Sequence, residues 1–171
     1  SLELLGLSGN DYTSIFLQGG ASSQFLMTAY NFLKNEAAFL DTGTWSKKAI
    51  KEAKLFGNVD VLASSENDNY NHIPNFEIAK NYDYFHCTSN NTIFGTQINS
   101  FPNTDNPIFC DMSSDIFSRA LDFSKFDLIY AGAQKNLGPA GATLVVIKND
   151  LLENIKDCLL YTSDAADDRM R

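Results

Sequence analysis

Lys135 stands in the stretch Tyr130-Ala131-Gly132-Ala133-Gln134-Lys135-Asn136-Leu137-Gly138-Pro139-Ala140-Gly141, among small, glycine-rich, barely charged neighbours. A lysine in that company is expected to be more than a solvated surface charge. Desolvation and neighbouring charge lower a lysine's pKa and make its amine a nucleophile. The bland alternative is a tip snorkelling from a turn. Asp111 ends the apolar run Ile108-Phe109-Cys110 and precedes Met112-Ser113-Ser114-Asp115. An acid so placed either pairs with a cationic ring nitrogen or caps the next helix together with the serines. Trp45, the single tryptophan, follows Asp41-Thr42-Gly43-Thr44. Its ring either stacks on a flat cofactor or anchors a helix by partial burial. Gly19-Gly20-Ala21-Ser22-Ser23 lets backbone N–H groups approach an anion at a helix start. The alternative there is a tight turn with Ser22 or Ser23 as N-cap, a contact of about 1 kcal/mol. Neither G-x-G-x-x-G nor G-x-x-x-x-G-K-[ST] occurs.

The elements that must position these groups alternate along the chain. Strands are expected at Tyr12–Leu17, Ala37–Leu40, Val59–Ala63, Tyr82–Cys87, Ile108–Cys110, Leu128–Ala131 and Thr143–Ile147. Between them, Phe25, Leu26, Ala29, Phe32 and Leu33 trace one helical face. Ser46–Phe56 forms another helix, with Gly57 as its stop. Asn149-Asp150 opens a further helical pattern through Leu151, Leu152 and Ile155. Such alternation predicts an α/β fold with a mostly parallel sheet covered on both faces. Ligands of these sheets sit beyond the carboxyl ends of the strands, where each of the four groups falls.

The 171 residues carry 13 basic and 21 acidic side chains, a net charge of −8, which argues against a protein held mainly by nucleic-acid phosphates. No run approaches the roughly 18 apolar residues of a membrane span. Cys87, Cys110 and Cys158 are widely spaced without a C-x-x-C pair, and His72 and His86 form no H-E-x-x-H. A disulfide framework or a metal site is not expected, and a reduced, cytoplasmic setting is. The stretch Tyr161–Arg171 is poor in apolar residues and without period. We expect it to be disordered, and it resembles translated adapter sequence.

An anion cradle, a flat aromatic ring, an acid and a lysine after strands of one sheet are what pyridoxal 5'-phosphate requires. Five segments carry a specific resemblance: Gln18–Phe25, Asp41–Ser46, Thr88–Gln97, Asp111–Arg119 and Tyr130–Gly141. On them the chain resembles the phosphoserine aminotransferases, class V enzymes of fold type I, from Ser1 to about Asp157. The resemblance implies a three-layer α/β/α large domain over residues 1–157, followed by the tail at 158–171. It implies that Ala21, Ser22 and Gln134 hold the cofactor phosphate, that Trp45 stacks on the ring and that Thr92 contacts the cofactor. It makes Asp111 the partner of the ring nitrogen and Lys135 the Schiff-base lysine.

The implied activity is amino transfer between L-glutamate and 3-phosphohydroxypyruvate in serine biosynthesis, with a related reaction of pyridoxine biosynthesis in many bacteria. Family members are longer homodimers. They have substrate-binding arginines and a cross-subunit Asn-Thr pair that this chain lacks, so it is expected to be an internal fragment, inactive alone. The rival within the fold is a cysteine desulfurase, which places histidines over the ring and before the lysine; here those places hold Trp45 and Gln134. A non-catalytic cofactor-binding domain is the rival from outside enzymology.

Overall fold

The computed structural model describes residues 1–155. Its chain runs through β1 (Tyr12–Gln18), α1 (Ser22–Phe32), β2 (Glu36–Asp41), α2 (Thr44–Ala53) and β3 (Asn58–Ser64). It continues with β4 (Phe85–Thr88), the short β5 (Asn90–Asn91) and β6 (Thr96–Gln97), then β7 (Ile108–Asp111) and β8 (Leu128–Gly132). The last elements are α3 (Ala133–Asn136), β9 (Ala142–Lys148) and α4 (Asn149–Glu153). The tail expected at 158–171 lies outside the described residues. So does Cys158.

Seven strands form one mixed sheet in the order β1-β9-β8-β7-β4-β2-β3, and β5 and β6 pair apart as a hairpin. From β8 to β3 every neighbour is parallel. β9 is antiparallel to β8, and β1 antiparallel to β9. Two reversals restore the original direction, so β1 ends at the same sheet edge as β7 and β8. That edge therefore gathers the glycine turn, Asp111 and the lysine segment. The central strands β4, β7 and β8 are buried at every residue, as parallel strands covered on both faces must be.

One face packs Phe25, Ala29 and Leu33 of α1 and Ala49, Ile50 and Ala53 of α2 against Phe39, Phe109, Tyr130 and Val145. The other face is covered differently. Leu5 and Phe123 of two 3-10 turns, with Ile98, Phe101, Met112 and Ile116 of connecting segments, close over Phe85, Ile129 and Val146. The third layer is thus built from 3-10 turns and extended chain rather than from long helices. Among the described residues no helix is long and apolar enough to cross a membrane.

Two boundaries differ from expectation. β4 starts at Phe85 rather than Tyr82; in the residues before it, Asp83 Oδ2 accepts the backbone N–H groups of Lys34, Asn35 and Glu36 at 2.8, 2.5 and 3.0 Å. Tyr82 to Tyr84 is an extended connector. α2 ends at Ala53, three residues before Phe56, and the chain turns so that Gly57 passes against Leu33. A Cβ at Gly57 would lie 2.9 Å from Leu33 Cγ, so the close approach requires glycine.

His86 sits inside the helix-covered layer, stacked on Phe39 at 4.9 Å, with Nε2 2.8 Å from the Tyr130 hydroxyl. Burial pushes its pKa down to about 3. The native state therefore holds it neutral, while the unfolded chain protonates it below about pH 6.5. Stability contributed by neutral His86 is complete above that pH and is lost as pH falls towards the native value. The excess stability of wild type over His86→Phe, measured by urea titration, should shrink by roughly 1.4 kcal/mol per pH unit between about pH 6 and 5. A difference constant across that window would contradict the neutral, buried assignment.

Candidate functional site

The glycine turn between β1 and α1 is shaped by backbone. Gly19 has φ of 105°, a conformation that disfavours any side chain. Its N–H donates to Gly141 O and its carbonyl accepts from Thr143 Oγ1, both at 2.9 Å, so the turn is tied to β9. Neither serine caps α1. Ser23 Oγ donates back to Gly20 O at 2.7 Å, and no side chain accepts from the first helical N–H groups. The alternative of a serine N-cap is thus corrected: a serine that serves as donor leaves the helix start open to an anion. Gly132 completes this corner. A Cβ there would lie 2.8 Å from Gln134 Oε1 and 3.3 Å from Ala21 Cβ, so only glycine lets the two segments close together.

Asp111 closes β7 with 5% of its surface exposed. Its Oδ1 accepts the Ser113 N–H at 2.9 Å and the Ser113 hydroxyl at 2.6 Å. Both expectations for this acid meet in one carboxylate: Oδ1 organises the turn, and Oδ2 has no hydrogen-bond partner among the described residues. Burial raises the pKa of Asp111, while the two Ser113 contacts and the charge of Lys135 pull it back. Beside it in register on β4, the buried Thr88 hydroxyl also has no hydrogen-bond partner among the described residues.

Lys135, in the single turn of α3, donates from Nζ to Thr92 Oγ1 at 2.9 Å. The same Nζ lies 5.3 Å from the centre of the Trp45 ring. Lys135 is exposed, and so is Gln134. The expected desolvated lysine is not found here, because its glycine-rich neighbours from Gly138 to Gly141 lie mostly on the surface themselves. Trp45 is half-buried at the start of α2 and Thr92 sits exposed in the β5–β6 hairpin. Thr42 Oγ1 joins the two elements by donating to Asn91 Oδ1 at 3.1 Å. Asp115 pins the hairpin from below, accepting from Ser89 Oγ, from Gln97 Nε2 at 3.3 Å and from Arg119 Nη2 at 3.0 Å.

Ala21, Ser22, Trp45, Asp111, Gln134 and Lys135 line one cavity, together with Gly20, Phe25 and Ser113. Thr92 joins it through the Lys135 contact. All seven sequence-predicted residues are therefore brought together. A roomier hollow runs along α2 between Lys47, Lys51, Lys54 and Tyr70, but it holds neither an unpartnered acid nor a backbone cradle. Ser113 is the group that reasoning from the sequence assigned only to capping. The Asp-x-Ser spacing of an Asx turn was its one signal. Among the described residues no cluster of His, Cys, Asp and Glu could hold a metal ion.

A fit to pyridoxal phosphate can be judged on these groups. An open helix start takes a phosphate, a half-exposed indole takes a flat ring, and a carboxylate oxygen without a protein partner among the described residues takes a protonated ring nitrogen. The residues fit.

Comparison with known proteins agrees. The class-V aminotransferase family matches residues 5–167. Phosphoserine aminotransferase of Flavobacterium johnsoniae is 66% identical over 155 residues, which are 89% of this chain and 44% of that protein. The Bacillus subtilis protein of the same name is 55% identical over 157 residues, 90% of this chain and 44% of its own. The chain thus spans about 44% of the length of the curated relatives it matches. Among solved structures, phosphoserine aminotransferase from Bacillus circulans subsp. alkalophilus superposes with a TM-score of 0.84 at 49% identity, over 89% of this chain and 44% of that one. The pyridoxal-phosphate-bound enzyme from Trichomonas vaginalis gives 0.82 at 34% identity, over 91% and 46%.

The unpartnered Oδ2 makes opposite demands on the empty and the loaded protein. A raised carboxyl pKa means that ionised Asp111 disfavours the fold as pH rises through its native value. Relative to wild type, cofactor-free Asp111→Asn should therefore gain stability in thermal melts as pH rises above about 4, the ordinary carboxylate value. Its affinity for pyridoxal phosphate should nonetheless fall about 10- to 100-fold, the loss of a charge-assisted hydrogen bond of roughly 1.5–3 kcal/mol. Unchanged affinity would remove Asp111 from the site.

Proposed function

Because the chain belongs to the class-V aminotransferases, we propose that its whole protein is the pyridoxal-phosphate-dependent transaminase of serine biosynthesis. It exchanges an amino group between L-glutamate and 3-phosphohydroxypyruvate, giving O-phospho-L-serine and 2-oxoglutarate. The observation that carries this reading is the meeting of Asp111, at the end of β7, and Lys135, in α3 after β8, at one cavity with an open helix N-terminus. Relatives named for this activity, up to 66% identical, support the substrate assignment. A cytoplasmic homodimer belongs to the same proposal.

Bound in the cavity, the cofactor supplies a sink for the electron pair released when a substrate Cα–H bond breaks. The protein's part is binding, orientation and proton handling. The N–H groups of Ala21 and Ser22 at the start of α1, with the Ser22 and Gln134 side chains, would hold the phosphate. Asp111 Oδ2 would accept a hydrogen bond from the ring N–H and so hold the proton on that nitrogen. Trp45 would bear on one face of the ring. Lys135 Nζ, held by Thr92 Oγ1, would be the amine that holds the cofactor and the base that takes up and returns the substrate proton. With the amine and the phosphate-binding groups at one cavity, the cost in entropy of bringing the two together would be small.

The desulfurase alternative has no support at the site. Trp45 and Gln134 line the cavity, while His86 is buried against Tyr130 and His72 pairs with Asn71.

In the full-length protein, borohydride reduction followed by peptide mass spectrometry should find the pyridoxyl adduct on Lys135. Lys135→Ala should lose both the adduct and at least ~1,000-fold in turnover, the scale on which removal of a catalytic nucleophile and base is felt. An adduct on another lysine, with Lys135 unmodified, would overturn the assignment.

A further inference from the structure

We infer that Ser113 is a positioning residue for the cofactor site: its N–H and hydroxyl hold one oxygen of Asp111, so that the other faces the cavity, and the same hydroxyl ties that carboxylate to the segment carrying Lys135. The inference rests on the proposed cofactor reading and deepens it.

The geometry is a strand rung replaced by a side chain. Backbone pairing between β7 and β8 runs to the contact of Met112 N–H with Tyr130 O at 2.9 Å. At the next step the Gly132 N–H donates to Ser113 Oγ at 3.1 Å instead. Gly132 is the residue from which α3, and so Lys135, departs. Ser113 is itself buried, and its hydroxyl proton goes to Asp111 Oδ1 at 2.6 Å. One hydroxyl thus accepts from β8 and donates to β7, using both of its roles. With Oδ1 taken by two donors, the carboxylate cannot rotate to exchange its oxygens without breaking both contacts. Oδ2 is left as the free acceptor.

The charges that bear on Asp111 are few. Lys135 on α3 favours its ionised form and Asp115 in its own turn opposes it. Tyr130 on β8 and Cys110 on β7 are kept neutral by burial, as is His86 on β4. Against the burial that pushes Asp111 up, the Ser113 hydroxyl is the foremost opposing contact. A protonated carboxyl cannot retain a second proton on a ring nitrogen. Removal of the hydroxyl should therefore move the acidic limit of cofactor binding to higher pH.

The test uses the full-length protein as wild type, Ser113→Ala, Ser113→Thr and Ser113→Cys. The dissociation constant of pyridoxal phosphate is measured from about pH 5 to 9, with circular dichroism as the check on folding. Ser113→Ala should bind about tenfold or more weakly near pH 6, with its acidic limb displaced upward by about half a pH unit or more. Ser113→Thr, which keeps the hydroxyl, should stay within about threefold of wild type, and Ser113→Cys, a weaker donor of similar size, should fall between. Should the alanine variant fail to fold, the Thr and Cys pair decides the question. A folded alanine variant with the wild-type curve, a threonine variant as impaired as alanine, or identical Thr and Cys curves would each overturn the role of the hydroxyl. Wild type that binds no cofactor would overturn the functional reading instead.

Discussion

A carboxylate at the end of a fully buried strand is costly unless something polar or cationic meets it. Asp111 is such a group, and much of the surrounding structure can be understood as its setting. Two Ser113 donors satisfy one oxygen, and Lys135 brings a positive charge towards it. The other oxygen has no hydrogen-bond partner among the described residues and would be free to meet a ligand cation. Replacing the acid by an apolar residue would make a quieter strand end, so the presence of the acid is an argument from energy for binding chemistry at this sheet edge.

The sheet order brings the other groups to the same edge. Had β9 joined β8 in parallel, β1 would have pointed its glycine turn away from Asp111. The two antiparallel pairings correct the direction, and Gly19 is then stitched to Gly141 and Thr143 at the start of β9. The segment from Asp111 to Arg119 links the remaining pieces. Ser113 reaches the lysine segment, Ser114 holds Asn90 at 2.9 Å, and Asp115 holds Ser89 and Gln97 of the hairpin that carries Thr92. Three elements that would hold one cofactor are thereby tied to a single turn.

The sequence made much of this legible because apolar runs and small-residue turns are local signals. Seven strands were expected and seven form the sheet, with the chemistry-bearing residues at their ends. The direction of β9 was not readable, since a buried strand has the same composition whichever way it runs. The cover of the second face escaped for a related reason: 3-10 turns and extended connectors leave no periodic pattern. The lysine falls after β8, at the cavity, as its sequence position predicts, but its surroundings differ. Low charge in the neighbouring sequence says nothing of exposure when those neighbours are surface glycines and a proline. Ser113 was read as a cap because only coordinates show that its hydroxyl also receives Gly132.

The central claim is that Asp111 keeps a cofactor ring nitrogen protonated. The most direct test is the nitrogen-15 chemical shift of ring-labelled pyridoxal phosphate bound to the full-length protein near neutral pH. The account predicts a protonated ring nitrogen in wild type and an unprotonated one in Asp111→Asn. An unprotonated nitrogen in the wild-type protein, with Asp111 in place, would contradict it.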